Sequence, residues 1–438
     1  MRTKRFWNGL RESFWFVPSL IVAISIVLAV ALIATDSAGP KPWMARWPRL
    51  FGAGAEGARG MLSTIAGSMM TVVGVTFSMT LVVLALASSQ YTSRILRNFM
   101  RDRVTQVVLG IFAGIYVYCL IVLRTIRNAD EGRFIPSLAI LFGVALAIGG
   151  ISVLIFFIHH IASSIQASTI IASVADETIA AVDRLFPEHL GHALADYDEG
   201  QTPSPLPEQR WQAVPAKRSG YIQSVDNAAL LGVARNHRTL VRMERGIGEF
   251  VVRGTTLASL AMEQPPAPAV MTALREAYEI HHHRTVDQDV GFGIRQIVDM
   301  ALRALSPGIN DTTTAVMCVD YLTTILARLA SRPIPSPRRH ENGELRVIAI
   351  GPTFSSVVDE SFDQIRSSAQ GNAAIMLRML GAVHTIGALT VRDDRREVLR
   401  EHVRRIAEVA ARTIESPHDR ARVERRLTTV RDALEAES

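Results

Sequence analysis

The chain reads as an α-helical integral membrane protein: four transmembrane helices, then a cytoplasmic α+β domain with a small β barrel or sandwich unit and a mainly helical C-terminal part. Three observations predict this. Hydrophobic residues fill 48% of 438 positions and the mean hydropathy is +0.20, too apolar for an ordinary soluble enzyme. Four long apolar runs occupy the first 160 residues. Beyond them the pattern changes to short β-rich runs and then to amphipathic helical periods.

The apolar runs extend from Phe14 to Ala34, Met61 to Ala87, Val104 to Leu123 and Phe134 to Ile158. Each is near the roughly 20 residues that a helix needs to cross a bilayer. The first run follows the basic residues Arg2, Lys4 and Arg5 but is too long for a signal peptide, whose apolar core is about 7 to 15 residues. A second basic cluster, Arg94, Arg97, Arg101 and Arg103, follows the second run. Excess arginine and lysine mark the cytoplasmic side. Both clusters therefore belong there, and an even number of crossings returns the C-terminus to the cytoplasm of a multi-pass protein in the bacterial inner membrane. Trp43 and Trp47 suit the headgroup zone of the first outer loop.

The second run is the most informative of the four. Thr64, Ser68, Thr71 and Ser78 recur at helical steps and set hydroxyls along one face, beside a small-residue stripe of Gly60, Gly67 and Gly74. One reading is close helix packing. The other is the polar lining of a conduit. No Asp, Glu, Lys or Arg stands at the centre of any run, so the signature of a coupled transporter is missing.

Five regions follow from the pattern: a four-helix transmembrane domain over 1–158, a helical stalk over 159–187, a linker over 188–219, a β unit over 220–262 and a mainly helical cytoplasmic domain over 263–438. The stalk continues the fourth helix without Gly or Pro before Pro187, with His159 and His160 as interfacial polar residues. The linker is rich in Pro and acidic residues. "GYIQSV", "RTLVRM" and "EFVVRGTTLASL" are the strands of the β unit. It has no hairpin lysine to carry a cofactor, since Lys217 precedes the first strand, so an interaction module is expected and no cofactor.

The remainder is read as helices over 271–283, 292–305 and 314–329, a strand "ELRVIAI", and helices from about Thr353 onward. The last two helices carry the apolar periods Leu399, Val403, Ile406, Ala410 and Val423, Leu427, Val430, Leu434. Their charges alternate in sign, as on solvated faces, and a net charge of +6 is modest; no nucleic-acid partner is expected. Cys119 and Cys318 lie in apolar patterns with no further ligand at metal spacing. His281, His282 and His283 are consecutive and would splay around a helix, so no metal is expected there. No nucleophile triad, P-loop or dinucleotide fingerprint occurs, and no catalytic residue is assigned.

The stretch "ALRALSPGINDTTTA" is read as a corner. Pro307 ends one helix, Gly308 takes the left-handed conformation of a helix stop, and Asn310 or Asp311 caps the next helix. Beside it Arg284, Asp287, Arg295, Asp299 and Arg303 are expected to gather, the last three spaced by four on one face. The cluster is either an ion-pair network or a pocket for a polar or anionic ligand.

"ASSQYTSRILRNFMRDRVTQVVLG", "SGYIQSVD" and "RTVDQDVGFGIRQIVDMALRALSPGIND", together with the four leading runs, resemble the bacterial predicted membrane proteins grouped as domain of unknown function 2254. The resemblance spans nearly the whole chain and brings no activity, cofactor or catalytic residue with it. Its common form continues "SPGIND" with proline and an aromatic residue, where this chain has Thr312 and Thr313. Two function classes fit: an oligomeric, channel-like conduit gated by its cytoplasmic domain, or a membrane-anchored scaffold. The expected partners are the lipid bilayer, further copies of the chain and a cytoplasmic protein.

Overall fold

The computed structural model describes residues 15–37, 54–90, 102–127, 134–164, 166–186, 210–341, 343–390 and 392–436, the side chains of 86–90 excepted. The chain is mostly helical and divides into two compact units, Met1–Gln166 and Ala167–Ser438. Trp43, Trp47, Arg94, Arg97, Arg101 and residues 188–209 of the expected linker lie outside the described residues.

The first unit holds α1 (Phe16–Ser37), α2 (Ala55–Gln90), α3 (Arg103–Thr125) and α4 (Ser137–Ser164), one for each apolar run. Hydrocarbon offers the backbone no hydrogen-bond partner, and a helix satisfies its own. The central helix is α3, which packs against the other three. Val108, Phe112, Ile115, Cys119 and Val122, at helical spacing, are buried on it. Gly110 and Gly114 let α1 lie close: a Cβ on Gly110 would stand 2.7 Å from Ile21 Cδ1, and one on Gly114 2.5 Å from Ser25 Oγ.

Polar ties fasten the helix ends. Asp36 accepts from the amides of Leu138 and Ala139 at 3.0 and 3.1 Å, and Arg59 donates to the Ile126 carbonyl at 2.7 Å. On a different pair of helix ends, Asp102 caps α3 through the Val104 amide at 3.1 Å and the Thr105 hydroxyl at 2.6 Å. His160 Nε2 lies 3.0 Å from the same carboxylate. The outer faces carry large exposed apolar side chains such as Ile24, Val27, Val82, Ile151 and Ile155, which suits contact with lipid.

In the second unit α5 (Ala167–Leu185) covers the stretch expected as a stalk. The single continuous helix expected there is two helices, since α4 ends at Ser164. Ile170, Ile171, Val174, Ala181 and Val182 of α5 are buried, and the helix packs against α8 (Val290–Ala304) and α9 (Thr312–Ala330). An apolar face this complete belongs to a core helix, which is why the expected stalk is not an isolated rod.

Among the described residues eight strands form two sheets: β1 (Trp211–Pro215), β2 (Gly220–Val225), β3 (Val241–Met243), β4 (Phe250–Val251), β5 (Thr256–Ala261), β6 (Tyr278–His281), β7 (Arg338–Glu341) and β8 (Glu344–Ile348). The larger has the order β1-β5-β3-β8-β7 and the smaller β4-β2-β6. In place of a self-contained barrel over 220–262, the strands of that span are shared between both sheets, and each sheet takes strands from beyond it. The reason is long-range pairing: Val241 lies beside Val347 in a parallel ladder, and Ile222 beside Ile280. A helix, α6 (Asn227–Asn236), separates β2 from β3 along the chain, and Ile222, Leu230, Val241, Leu257, Leu260 and Val347 share one core.

The helix expected over 271–283 is α7 (Pro268–Glu276) followed by β6. Tyr278 and Ile280 are buried while His281 is exposed, the period of two that belongs to a strand with one covered face. The rest is α10 (Phe354–Ser368), α11 (Ala373–Ala388), α12 (Asp393–Thr413) and α13 (Pro417–Ala436). Both apolar periods read from the last two helices are buried. Arg395, 1% exposed, donates through Nη1 to the carbonyls of Leu329, Ala330 and Arg332 at 3.2, 3.0 and 2.9 Å. The end of α9 lacks intrahelical donors for its carbonyls, and the guanidinium supplies them.

Five helices, not four, are long and apolar enough to cross a membrane among the described residues: α1 to α4 and α9. The last lies within the second unit, packed against α5, α8 and α11.

The closeness of α1 and α3 gives a first prediction. Gly110→Val should cost about 1–3 kcal/mol by overpacking and lower the melting temperature of the protein in a neutral detergent. Gly149→Val, where a Cβ meets nothing within 4 Å, should leave melting unchanged.

Candidate functional site

A buried polar arrangement in the second unit begins at Asp289, where the chain leaves β6 and enters α8. Asp289 caps α8, accepting from the Phe292 amide at 3.0 Å. The same carboxylate takes a two-pronged contact from Arg284, with Nε at 2.7 Å and Nη2 at 3.0 Å. The carboxylate is only 7% exposed, so a paired guanidinium is what makes its burial affordable. Arg284 also lies over the Phe292 ring at 5.3 Å. Gly248, at φ 84°, presses against this pair; a Cβ there would stand 2.5 Å from Asp289 Oδ2 and 2.9 Å from Arg284 Nη2. Both the backbone conformation and the space demand glycine.

One turn further along α8, Arg295 Nε meets Asp299 Oδ1 at 3.1 Å. Between the two pairs stands Glu360 of α10. Burial is the main cause that holds its carboxyl above the usual range; Asp289 and Asp299 push the same way, and Arg284 and Arg295 oppose them. Two guanidinium groups therefore face three carboxyls, and of the three Glu360 is the one whose ionisation burial disfavours. This is an ion-pair network.

The expected cluster is thus assembled in part. Arg284, Arg295 and Asp299 are brought together around Glu360. Asp287 is exposed, and what it contributes is its backbone carbonyl, which accepts from Arg184 at 2.7 Å; the partner of Arg284 is Asp289. Arg303 lies at the far end of α8, its Nε buried without a hydrogen-bond partner among the described residues. Asn310 and Asp311 lie beyond that end, separated from Asp289 by about 22 Å of helix at 1.5 Å per residue.

At the corner itself the left-handed residue is Asn310, at φ 50°, and not Gly308. Asparagine tolerates this conformation because its short polar side chain bonds locally. The amides of Asn310 and Asp311 return to the carbonyls of Ser306 and Ala304 at 2.9 and 2.8 Å. Asp311 is the cap of α9, accepting from the Thr314 amide at 3.0 Å and hydroxyl at 2.6 Å, and these two bonds hold its carboxyl below the ordinary value. The stretch builds a turn.

On α2, Thr64, Ser68, Thr71 and Ser78 are all exposed in the single chain. The hydroxyls of Thr64 and Thr71 donate to the carbonyls of Gly60 and Gly67 at 2.8 and 3.0 Å. Cβ atoms built on Gly60, Gly67 and Gly74 would meet nothing within 4 Å. The stripe therefore points away from the other helices of its unit.

Sequence reasoning passed over one further group. Asp359, Asp363 and His402 bring ligand atoms within 4.8 Å of one another. Arg405 already reaches into the group, 2.8 Å from Asp359 and 3.4 Å from Asp363, and supplies the positive charge that the carboxylates need. His402 Nε2 stands 3.1 Å from Asp359, and burial lowers the pKa of this imidazole. His281, His282 and His283 are exposed at the end of β6.

A family model described as "Predicted membrane protein (DUF2254)" matches residues 11–385. Proteins of Mycobacterium tuberculosis strain H37Rv and of Mycobacterium bovis, both described as uncharacterized, are 34% identical over 432 residues, covering 96% of this chain and 81% of each relative. No solved structure matches the chain.

Glu360 gives a second prediction. A carboxyl whose pKa is raised on folding costs stability once the pH exceeds its unfolded value, because the folded state then holds a proton that the unfolded state has released. Glu360→Gln should accordingly raise the melting temperature at pH 7 to 8 relative to the parent. The gain should vanish near pH 4, below the ordinary glutamate range.

Proposed function

This chain belongs to the DUF2254 family of predicted membrane proteins, and we propose that it works in the bacterial inner membrane as an oligomeric, channel-like conduit gated by its cytoplasmic domain. The observation that supports this reading is the outward stripe on α2. Small residues let helices approach closely in a bilayer, where apolar side chains alone give little preference for protein over lipid. Copies joined along this face would bring Ser68 and Ser78 toward the shared axis.

In this reading α1 to α4 cross the bilayer and both termini are cytoplasmic. The fifth apolar helix, α9, stays outside because its buried face, including Cys318, Leu322, Ile325 and Leu329, belongs to the second unit's core. Its Asp320 and Arg328 are ion-paired with Arg378 and Asp183, which suits an aqueous surface. A membrane-anchored scaffold that recruits a cytoplasmic protein is the second reading. What favours it is that the hydroxyls of Thr64 and Thr71 are satisfied by their own helix and need no water.

The readings separate in a cysteine-accessibility experiment. In a chain carrying Cys119→Ala, Ser68→Cys and Thr71→Cys should react with membrane-impermeant thiol reagents, and liposomes containing the protein should pass ions. Unreactive cysteines together with ion-tight liposomes would favour the scaffold.

A further inference from the structure

The second unit carries a half-open cavity of about 160 Å³, smaller than the roughly 300–1,000 Å³ of sites for drug-sized ligands. Its walls come from separate elements: Phe186 after α5, Val225 at the end of β2, Ile247 between β3 and β4, Val290 at the start of α8, and Ile350 after β8. The lining is mostly apolar. Its polar members are Asn227, Gln288, Thr353 and Arg339.

Arg339 is the unusual one. It stands on β7, the edge strand of the larger sheet, where its backbone pairs with Val347. Among the described residues its guanidinium makes no ion pair and no hydrogen bond, whereas two other polar lining groups have bonding roles of their own: Gln288 Oε1 accepts from the Val225 amide at 3.1 Å, and Thr353 caps α10. Burial, with no carboxylate to offset it, pulls the pKa of Arg339 below the ordinary arginine value. Arg339 is half-buried, and a guanidinium partly withdrawn from water with no counter-charge is one that an anion entering the cavity would pair. Arg284, Arg328, Arg332 and Arg405 in this same unit all have carboxylate partners.

We propose that this cavity is a binding site for a small carboxylate with an apolar body, whose carboxylate pairs with Arg339 while its body lies against Phe186, Ile247 and Ile350. A single guanidinium matches one carboxylate in charge and in its two-pronged geometry. The proposal does not rest on the conduit reading, because binding is measured without flux.

The test is isothermal titration of the full chain in lipid nanodiscs, with empty nanodiscs as the blank. Three probes share one apolar body: pentanoate, 1-pentanol and pentyl phosphate. Pentanoate should bind and 1-pentanol should bind at least about ten-fold more weakly, the scale of one charge-assisted contact. Arg339→Gln should remove that preference. Ile350→Trp, which fills the cavity and leaves Arg339 in place, should abolish pentanoate binding. It also decides the matter if Arg339→Gln does not fold. Absence of pentanoate binding, equal binding of pentanoate and 1-pentanol, or retained binding in Ile350→Trp would overturn the site. Tighter binding of pentyl phosphate than of pentanoate would overturn the assignment to carboxylates.

Discussion

A bilayer interior contains no hydrogen-bond partner for a peptide group, and the first unit is organised by that lack. It makes each apolar run a helix. It also explains where polar side chains are tolerated. The hydroxyls of Thr64, Thr71 and Thr80 fold back onto carbonyls four residues earlier in their own helix. The stronger polar groups, Asp36, Arg59, Asp102 and His160, stand at or near helix ends, where unpaired amides and carbonyls await them. Between those ends contact is made chiefly by shape, as where Gly110 and Gly114 receive α1, with a buried bond from the Tyr118 hydroxyl to the Ala139 carbonyl at 2.7 Å.

The second unit follows a different rule, in which buried charge is allowed wherever a partner meets it. Asp289 serves at once as the cap of α8 and as the seat of Arg284, and Gly248 closes the space above them. Arg395 spends its charge on the carbonyls that end α9. Each arrangement ties elements distant in sequence and loses stability if one member is removed, because the remaining group stays buried and unpaired. Glu360 and Arg339 stand apart from that pattern, one held toward its neutral form by burial and neighbouring acids, the other half-buried with no carboxylate partner among the described residues. Departures of this kind in a well-satisfied interior point to function more readily than the satisfied network does.

Much of the helical pattern was legible in the sequence, because hydrophobic period and run length act locally. The apolar runs, the caps at Asp311 and the faces of the last two helices all follow from neighbours within a few turns. What the sequence concealed depends on distant pairing. Val241 finds Val347, Ile222 finds Ile280, and nothing in either strand names its partner. β6 was hidden for a related reason: four residues beside three histidines extend a helical pattern as readily as they make a strand. In the polar cluster, spacing along α8 picked out Arg295 and Asp299, but Glu360 arrives from another helix, and no spacing along α8 points to it. Asp287 and Asp289 are indistinguishable by composition. Only the turn into α8 decides which carboxylate faces Arg284. The left-handed residue of the corner is Asn310 in place of Gly308, directly before the Asp311 cap.

We propose that the outward face of α2 is a contact between copies of this chain. Oxidative crosslinking in native membranes tests it most directly. With Cys119 and Cys318 replaced by alanine, a cysteine introduced at Gly67 should give disulfide-linked dimers, while one at Gly149, on the exposed side of α4, should give few or none. Absence of a link at position 67, or links as abundant at 149 as at 67, would contradict it.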